Sequence, residues 1–437
     1  MTESDPRRLA AAVLLAVEDG AWSDEALSLA LDGSRLRDVD RPLATRLVYG
    51  VLARQRTLDH TILAYAARPV RRIEPVVLVA LRLGLFQMAF LDRVPDHAAV
   101  ATSVDLVTRR APGARGFVNA LLRRVQREGL APAPRGNAGI GVSLSHPDWL
   151  AAMWRKELGD EPAALLMAAD NDAAPTCYRV LGNRDVTVDT LRAAGIDATA
   201  GRFASSAMLV AGPVRHFDGV AVPQGEASQL VVQLLEPRPG EAVLDACAAP
   251  GGKTAAIAAA VGAGGRVVAC DPSPQAGARV RALLDACAAK CRVDFHARAV
   301  EQLEAEVGRF DAVLVDAPCS GLGTLRQHPE IRWRRSRDDL DDLARRQGSI
   351  LNAASRFVKP AGRLVYSTCT IARAENDDVV AAFLESHSEF SRDAADAVPA
   401  ALVDDSGALR TFPHRDGLDG FFAVRLVRRP PKKAEHS

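Results

Sequence analysis

The chain has 437 residues, enough for roughly two to four domains, and 48% of them are hydrophobic, which suffices for buried cores. The formal charge is only +1, which excludes a globally basic polymer binder but not a local patch. Residues 1–142 carry 20 Arg, no Lys and 15 Asp plus Glu, a mild lean toward phosphate. A polar start over 1–9 and an apolar stretch, 76–91, interrupted by Arg82 predict neither a leader nor a membrane span. Seven scattered cysteines suit free thiols in a reducing cytoplasm. Cys287 and Cys291, with His296 close by, lack a fourth ligand, so no metal site is expected.

Residues 6–142 read as all helix. Apolar residues recur at spacings of three and four over 9–17, 26–31, 43–52, 58–67, 75–91, 98–108 and 118–125. Asp24 and Asp59 are expected as N-caps, and Pro95 and Pro112 mark breaks. A stretch rich in Pro, Gly and Asn, 131–141, reads as a linker. We therefore expect an all-α domain over 1–142. Residues 143–223 mix helical patterns around 149–157, 163–169 and 187–194 with strands over 176–180 and 207–210, a small α+β module. From 224 to 429, short apolar runs at 242–244, 266–269, 312–315 and 363–366 alternate with helices. That is the pattern of an α/β, Rossmann-like domain with a doubly wound parallel sheet. Residues 430–437 are expected to be a disordered tail.

The run at 242–244 leads into Asp245-Ala-Cys-Ala-Ala-Pro-Gly-Gly-Lys-Thr254. Small residues and two glycines let a ligand approach the backbone, and ligands of open parallel sheets bind at the carboxyl ends of strands. The dinucleotide glycine fingerprint is absent. Cys247 stands where the first glycine of a phosphate-binding loop would fall, although Gly252, Lys253 and Thr254 match its end. Asp271, after the next strand, can accept from both hydroxyls of a ribose. Loop plus acid imply a nucleoside-type cofactor and leave a dehydrogenase and a methyltransferase as equal contenders.

Two further strand ends each carry a cysteine: Cys319, in the run that begins at Asp316, and Cys369, after Ser367 and Thr368. Hydride transfer has no use for two thiols and a carboxylate. Methylation of cytosine carbon 5 does. That carbon is a poor nucleophile until a thiolate adds to carbon 6. An acid at ring nitrogen 3 eases the addition, and a second group must remove the carbon 5 proton before the sulfur leaves. Lys253, one of only six lysines in the chain, would sit near the base or stabilise the thiolate. Cys177, Cys270, Cys287 and Cys291 read as small core residues.

Residues 224–427 resemble the Sun-type RNA 5-methylcytosine methyltransferases. The likeness rests on CAAPGGKT at 247–254, Asp271, DAPCSG at 316–321, STC at 367–369, EN at 375–376 and DGFF at 419–422. It implies that Cys369 is the nucleophile, that Cys319 assists product release and that Asp316 contacts the target base beside the cofactor. It implies that S-adenosylmethionine is bound by Cys247, Ala248, Ala249, Pro250, Gly251, Gly252, Lys253 and Asp271, with Asp316 adjacent. One departure is Ala297, which by spacing stands where the family has an acid facing the adenine; backbone groups or Asp294 would take over. The N-terminal part resembles the NusB-like RNA-binding domain through residues 47–59, 82–100 and 116–125. Together with SHPDWL at 145–150 this matches the bacterial Sun/RsmB subgroup, which implies small-subunit (16S) ribosomal RNA as substrate.

Phosphate contacts are expected from Arg109, Arg110, Arg115, Arg123, Arg124 and Arg127. Arg326, His328, Arg332 and Trp333 are candidates to line the RNA entrance, with Trp333 equally open to being packed. The target cytosine must be unpaired or flipped. Competing readings are a transfer RNA methyltransferase and a non-catalytic RNA-binding or assembly factor. A DNA methyltransferase is disfavoured, because a second strand-end cysteine such as Cys369 has no role there.

Overall fold

The computed structural model describes residues 3–66, 69–212, 216–393 and 396–430; of the expected tail, 431–437 lie outside them. The chain forms two compact units, Met1–Ala174 with Leu325–Arg335, and Pro175–Thr324 with Ser336–Ser437. The expected boundary at 142/143 falls inside the first unit, and 325–335, expected in the third domain, also belongs to the first.

In the first unit the expected helices form. They are α1 (Pro6–Glu18), α2 (Ser23–Asp32), α3 (Arg41–Ala66), α4 (Pro75–Phe90), α5 (Asp96–Thr108) and α6 (Arg115–Glu128). α1 starts where the Asp5 side chain accepts the Arg7 N–H and Pro6 occupies the first turn. α4 is apolar on nearly every face and lies at the centre of the core. Its one charged residue, Arg82, is 4% exposed and donates to both Asp59 oxygens at 2.7 and 2.8 Å and to Glu18.

That pairing corrects the expected caps. Asp59 lies inside a 26-residue α3 that absorbs two predicted helices, because its carboxylate faces Arg82 and no helix start. Asp24 is the second residue of α2, whose N-cap is Trp22. Helices α7 (Asn137–Ser143), α8 (Asp148–Leu158) and α9 (Asp160–Ala169) complete the unit. They attach to α3 through Thr57 Oγ1, which donates to Val142 O at 2.6 Å, and Arg56, which pairs with Asp148 at 2.7 Å.

The second unit holds two sheets. A small antiparallel sheet runs β2-β3-β1-β4, from β1 (Thr176–Val180), β2 (Ala198–Ala200), β3 (Ala207–Val210) and β4 (Ala221–Pro223), with α10 (Arg184–Ala193). The three-residue strands β2 and β4 are too short to leave a periodic signal.

The large sheet contains β5 (Ala242–Asp245), β6 (Arg266–Cys270), β7 (Arg292–His296), β8 (Phe310–Asp316), β9 (Val358–Thr368), β10 (Phe390–Arg392), β11 (Leu409–Thr411) and β12 (Phe421–Arg428). Its order is β10-β12-β9-β8-β5-β6-β7, with β11 beside β12. β5 to β9 are parallel, as expected, whereas β12 runs antiparallel to β9. Helices α11 (Glu226–Leu235), α12 (Gly252–Val261), α13 (Ala276–Ala286), α15 (Arg337–Ser355) and α16 (Asp377–Ser386) cover its faces; the single-turn α14 (Ile331–Arg334) falls in the first unit and α17 (Pro413–Asp416) precedes β12. The chain leaves β5 toward β6 and β7, then returns to β5's other side as β8. This reversal is a switch point, where a crevice opens at the carboxyl ends of strands. Among the described residues, no helix is long and apolar enough to cross a membrane.

Candidate active site

Four strand ends converge on the switch point. β5 delivers Asp245 and the glycine loop, β6 Asp271, β8 Asp316 and Cys319, and β9 Ser367 and Cys369. The loop turns at Gly251, whose φ of +115° is a backbone region L side chains rarely adopt. A Cβ there would lie 2.9 Å from Val280 Cα on α13. Asp271 holds the loop's shape: one oxygen accepts Ala249 N at 3.0 Å and the other Ser273 N at 2.9 Å. A carboxylate has about four lone-pair sites, so Asp271 can still accept from ribose hydroxyls.

Asp245 is 1% exposed. Thr254 Oγ1 donates to its Oδ2 at 2.7 Å, while its Oδ1 is buried without a hydrogen-bond partner among the described residues. Burial, countered by Thr254, pushes its carboxyl up to about 6. A buried acceptor at the mouth of a loop of small residues fits an amino-acid cofactor that brings an ammonium group. Asp294, the alternative for the missing adenine acid, is already engaged by two guanidinium groups. Its carboxylate accepts from Arg266 and Arg292, each at 3.0 Å and each the first residue of its strand, β6 and β7.

Lys253 Nζ donates to Asp316 Oδ2 at 2.6 Å, and Ser367 Oγ donates to Oδ1 at 2.8 Å. Asp316 and Ser367 are register partners across β8 and β9, which aligns the pair. Cys319 Sγ and Cys369 Sγ lie 3.3 Å apart. The hydrogen bond to Cys369, reinforced by burial, raises the Cys319 thiol well above the usual thiol range. Burial likewise holds Cys247 as a thiol.

Two buried groups that spacing did not single out, Glu375 and Gln347, lock the Cys319 loop. Glu375 Oε2 accepts Ser320 N at 2.8 Å and Gln347 Nε2 at 2.9 Å, and Oε1 accepts Ser320 Oγ at 2.5 Å. Gln347 also donates to Pro318 O at 3.0 Å. Glu375 lies in the family-like EN pair; Gln347, inside α15, left no signal. Gly323 N donates to Cys369 O at 3.0 Å and Gly420 N to Gly323 O at 2.7 Å. A Cβ on Gly323 would lie 1.8 Å from Gly420 O, so only glycine lets the two cysteine loops and β12 meet.

The expected RNA contacts divide. Arg109, Arg110, Arg115, Arg123, Arg124 and Arg127 are all exposed on or beside α6. Arg332 and Trp333 do not line an entrance. Arg332 is fully buried in the first unit and donates to Asn171 Oδ1 at 2.8 Å, Asp170 O at 3.0 Å and Ser145 O at 3.2 Å; Trp333 Nε1 donates to Leu52 O at 2.9 Å. The open carbonyls between α3, α8 and α9 bind this segment, and spacing could not show that.

A glycine loop, a ribose-type acid and a reactive strand end at one switch point define a Rossmann-like methyltransferase domain. The chain matches the model of 16S rRNA methyltransferase RsmB/F over 232–427, the NusB family over 4–127 and an RsmF/B-like ferredoxin-like domain over 146–216. A probable ribosomal RNA small subunit methyltransferase B of Bacillus subtilis is 35% identical, covering 98% of this chain and 99% of its own. The ribosomal RNA small subunit methyltransferase B of Thermus thermophilus is 37% identical, with the same coverage of each. The crystal structure of PH0851 superposes with a TM-score of 0.82 at 25% identity, over 97% of this chain and 99% of that one. The chain belongs to the RsmB/F family of ribosomal RNA small subunit methyltransferases. It is an S-adenosylmethionine-dependent RNA methyltransferase.

Proposed function

We propose that this enzyme methylates carbon 5 of one cytosine in 16S ribosomal RNA through a covalent cysteine–cytosine adduct. The observation that carries the reading is the pair of thiols 3.3 Å apart at the ends of β8 and β9. S-adenosylmethionine supplies an electrophilic methyl group, and the residues that would hold it are Asp245, the loop from Cys247 to Lys253, and Asp271, with Asp316 adjacent.

The chain's own residues do the rest. The Cys369 thiolate's electron pair forms a bond to carbon 6, and the π pair of the carbon 5–carbon 6 double bond shifts away from carbon 6 and makes carbon 5 nucleophilic. Asp316, oriented by Lys253 and Ser367, supports ring nitrogen 3. After methylation the carbon 5 proton must leave, and Cys319 takes it directly or through water. The bond to carbon 6 then breaks and Cys369 departs as thiolate. The 3.3 Å contact with Cys369 and burial both hold Cys319 as a thiol. Once the Cys369 sulfur is bonded to carbon 6 that contact no longer holds the proton, and Cys319 can release it to water and then accept the carbon 5 proton.

The helical domain and the small α+β module, with boundaries near 142 and 223, would present the RNA while the 224–429 domain receives an extruded base. Free thiols at all seven cysteines suit a cytoplasmic setting. The test combines purified protein, methyl-labelled S-adenosylmethionine and protein-free 16S RNA. Label recovered as 5-methylcytosine, and lost in Cys369→Ala, supports the reading. Label on transfer RNA alone would overturn the substrate, and bound cofactor with no transfer to any RNA would favour a non-catalytic assembly role.

A further inference from the structure

Glu330 belongs to the segment Leu325–Arg335 that packs within the helical unit. It is 1% exposed. Its Oε1 accepts the backbone N–H of Ser23 at 2.9 Å, which caps α2 from a distant part of the chain. Capping accounts for one oxygen only. Glu330 Oε2 is buried and has no hydrogen-bond partner among the described residues. A buried carboxyl oxygen without a hydrogen-bond partner is costly unless something else satisfies it.

Ligand atoms of Glu330, His328 and Asp24 lie within 4.8 Å of one another. We propose that these three side chains form a binding site for a divalent cation of the manganese–zinc class. One imidazole nitrogen and two carboxylate oxygens suit such ions, whereas calcium and magnesium favour all-oxygen sets. Metal–ligand bonds of about 2.0–2.2 Å place ligands some 3–4 Å apart. The contraction needed is about 1 Å, and it falls on Asp24, which is exposed, and His328, which is partly exposed. Water fills the remaining positions.

The same segment already grips the α1–α2 junction, because the Arg334 guanidinium sits 4.5 Å over the Trp22 ring and donates to Val17 O at 3.2 Å. A cation would close that grip. It would tie the chain leaving the Cys319 loop to the helical domain. The absence of a metal site expected from Cys287 and Cys291 does not bear on this one. Its ligands come from opposite parts of the sequence, where no spacing rule reaches.

The test uses the full chain, stripped with chelator and titrated with Mn2+ alone while free Mn2+ is followed by electron paramagnetic resonance. Mn2+ competes poorly for the thiols of Cys319 and Cys369. We expect one saturable site per chain that Zn2+ displaces. Asp24→Asn and His328→Ala each weaken it at least tenfold with the circular dichroism spectrum unchanged, while Cys319→Ala with Cys369→Ala leaves it intact. No saturable binding at millimolar Mn2+, or binding indifferent to Asp24→Asn and His328→Ala, overturns the proposal. So does a Glu330→Gln chain whose Tm falls equally with and without Mn2+, which would mark a helix cap only.

Discussion

Cys319 Sγ rests 3.3 Å from Cys369 Sγ although 50 residues separate them, and the two substitutions are expected to fail in opposite ways. Cys369→Ala should abolish both methylation and adduct. Cys319→Ala should still methylate once but release product roughly 10²–10⁴-fold more slowly. RNA would then stay attached through denaturing electrophoresis. Normal turnover by Cys319→Ala would remove its role as base.

Glu375 makes three hydrogen bonds to the loop and its support from a site with no solvent exposure. Glu375→Gln puts an amide donor against groups that are themselves donors, so the Cys319 loop loosens. Turnover should fall roughly 10–100-fold, while the Kd for S-adenosylmethionine stays within a factor of two. Equal losses in both would show that Glu375 supports the whole domain and not this loop.

Asp245 carries a stability signature in the cofactor-free protein. Its folded pKa of about 6 exceeds the ordinary 3.8. Between those values the unfolded chain gives up the proton that the folded chain keeps, so this group's contribution favours folding less as pH rises, and above about 6 the penalty is constant. Asp245→Asn keeps an acceptor for Thr254 and removes the titration. Its advantage over wild type should grow from near zero at about pH 4 to on the order of 1–3 kcal/mol above about pH 6. Urea melts across that window would show it; a difference independent of pH would contradict it.

Arg123 and Arg124 are exposed on α6, with side chains held by Gln126 at 2.9 Å and Glu128 at 3.0 Å. If they meet phosphate, replacing both with Ala should weaken RNA binding and reduce the salt slope by roughly 1–2. Unchanged affinity and slope would leave α6 a solvated face.

Local features of the fold and site were legible because they obey short-range rules. The glycine loop, Asp271, Asp316 and the two cysteines each follow a strand, and parallel strands deliver their loops to one edge. The helices of 6–142 repeat at three and four. What escaped was set by long-range contact. Asp59 looked like a cap because its partner, Arg82, lies on another helix. β12 turned antiparallel without a local cue. Gln347 reads as an ordinary polar helix residue until α15 packs beneath Pro318.

Arg332 is the sharpest instance, since sequence placed it at the RNA entrance and folding buried it completely. Burial lowers its pKa to about 10, against the pull of Asp170, so it remains charged at neutral pH. Arg332→Met approximates the volume but leaves Ser145 O and Asp170 O without their donor and the 1% exposed Asp170 without its neighbouring charge. Loss of one partner from a buried charged pair costs about 3–5 kcal/mol, which chemical denaturation would register. The fraction that remains folded should bind RNA with the wild-type salt slope, because Arg332 meets carbonyls and not phosphates. A slope reduced by about 1, with stability unchanged, would return Arg332 to the RNA surface.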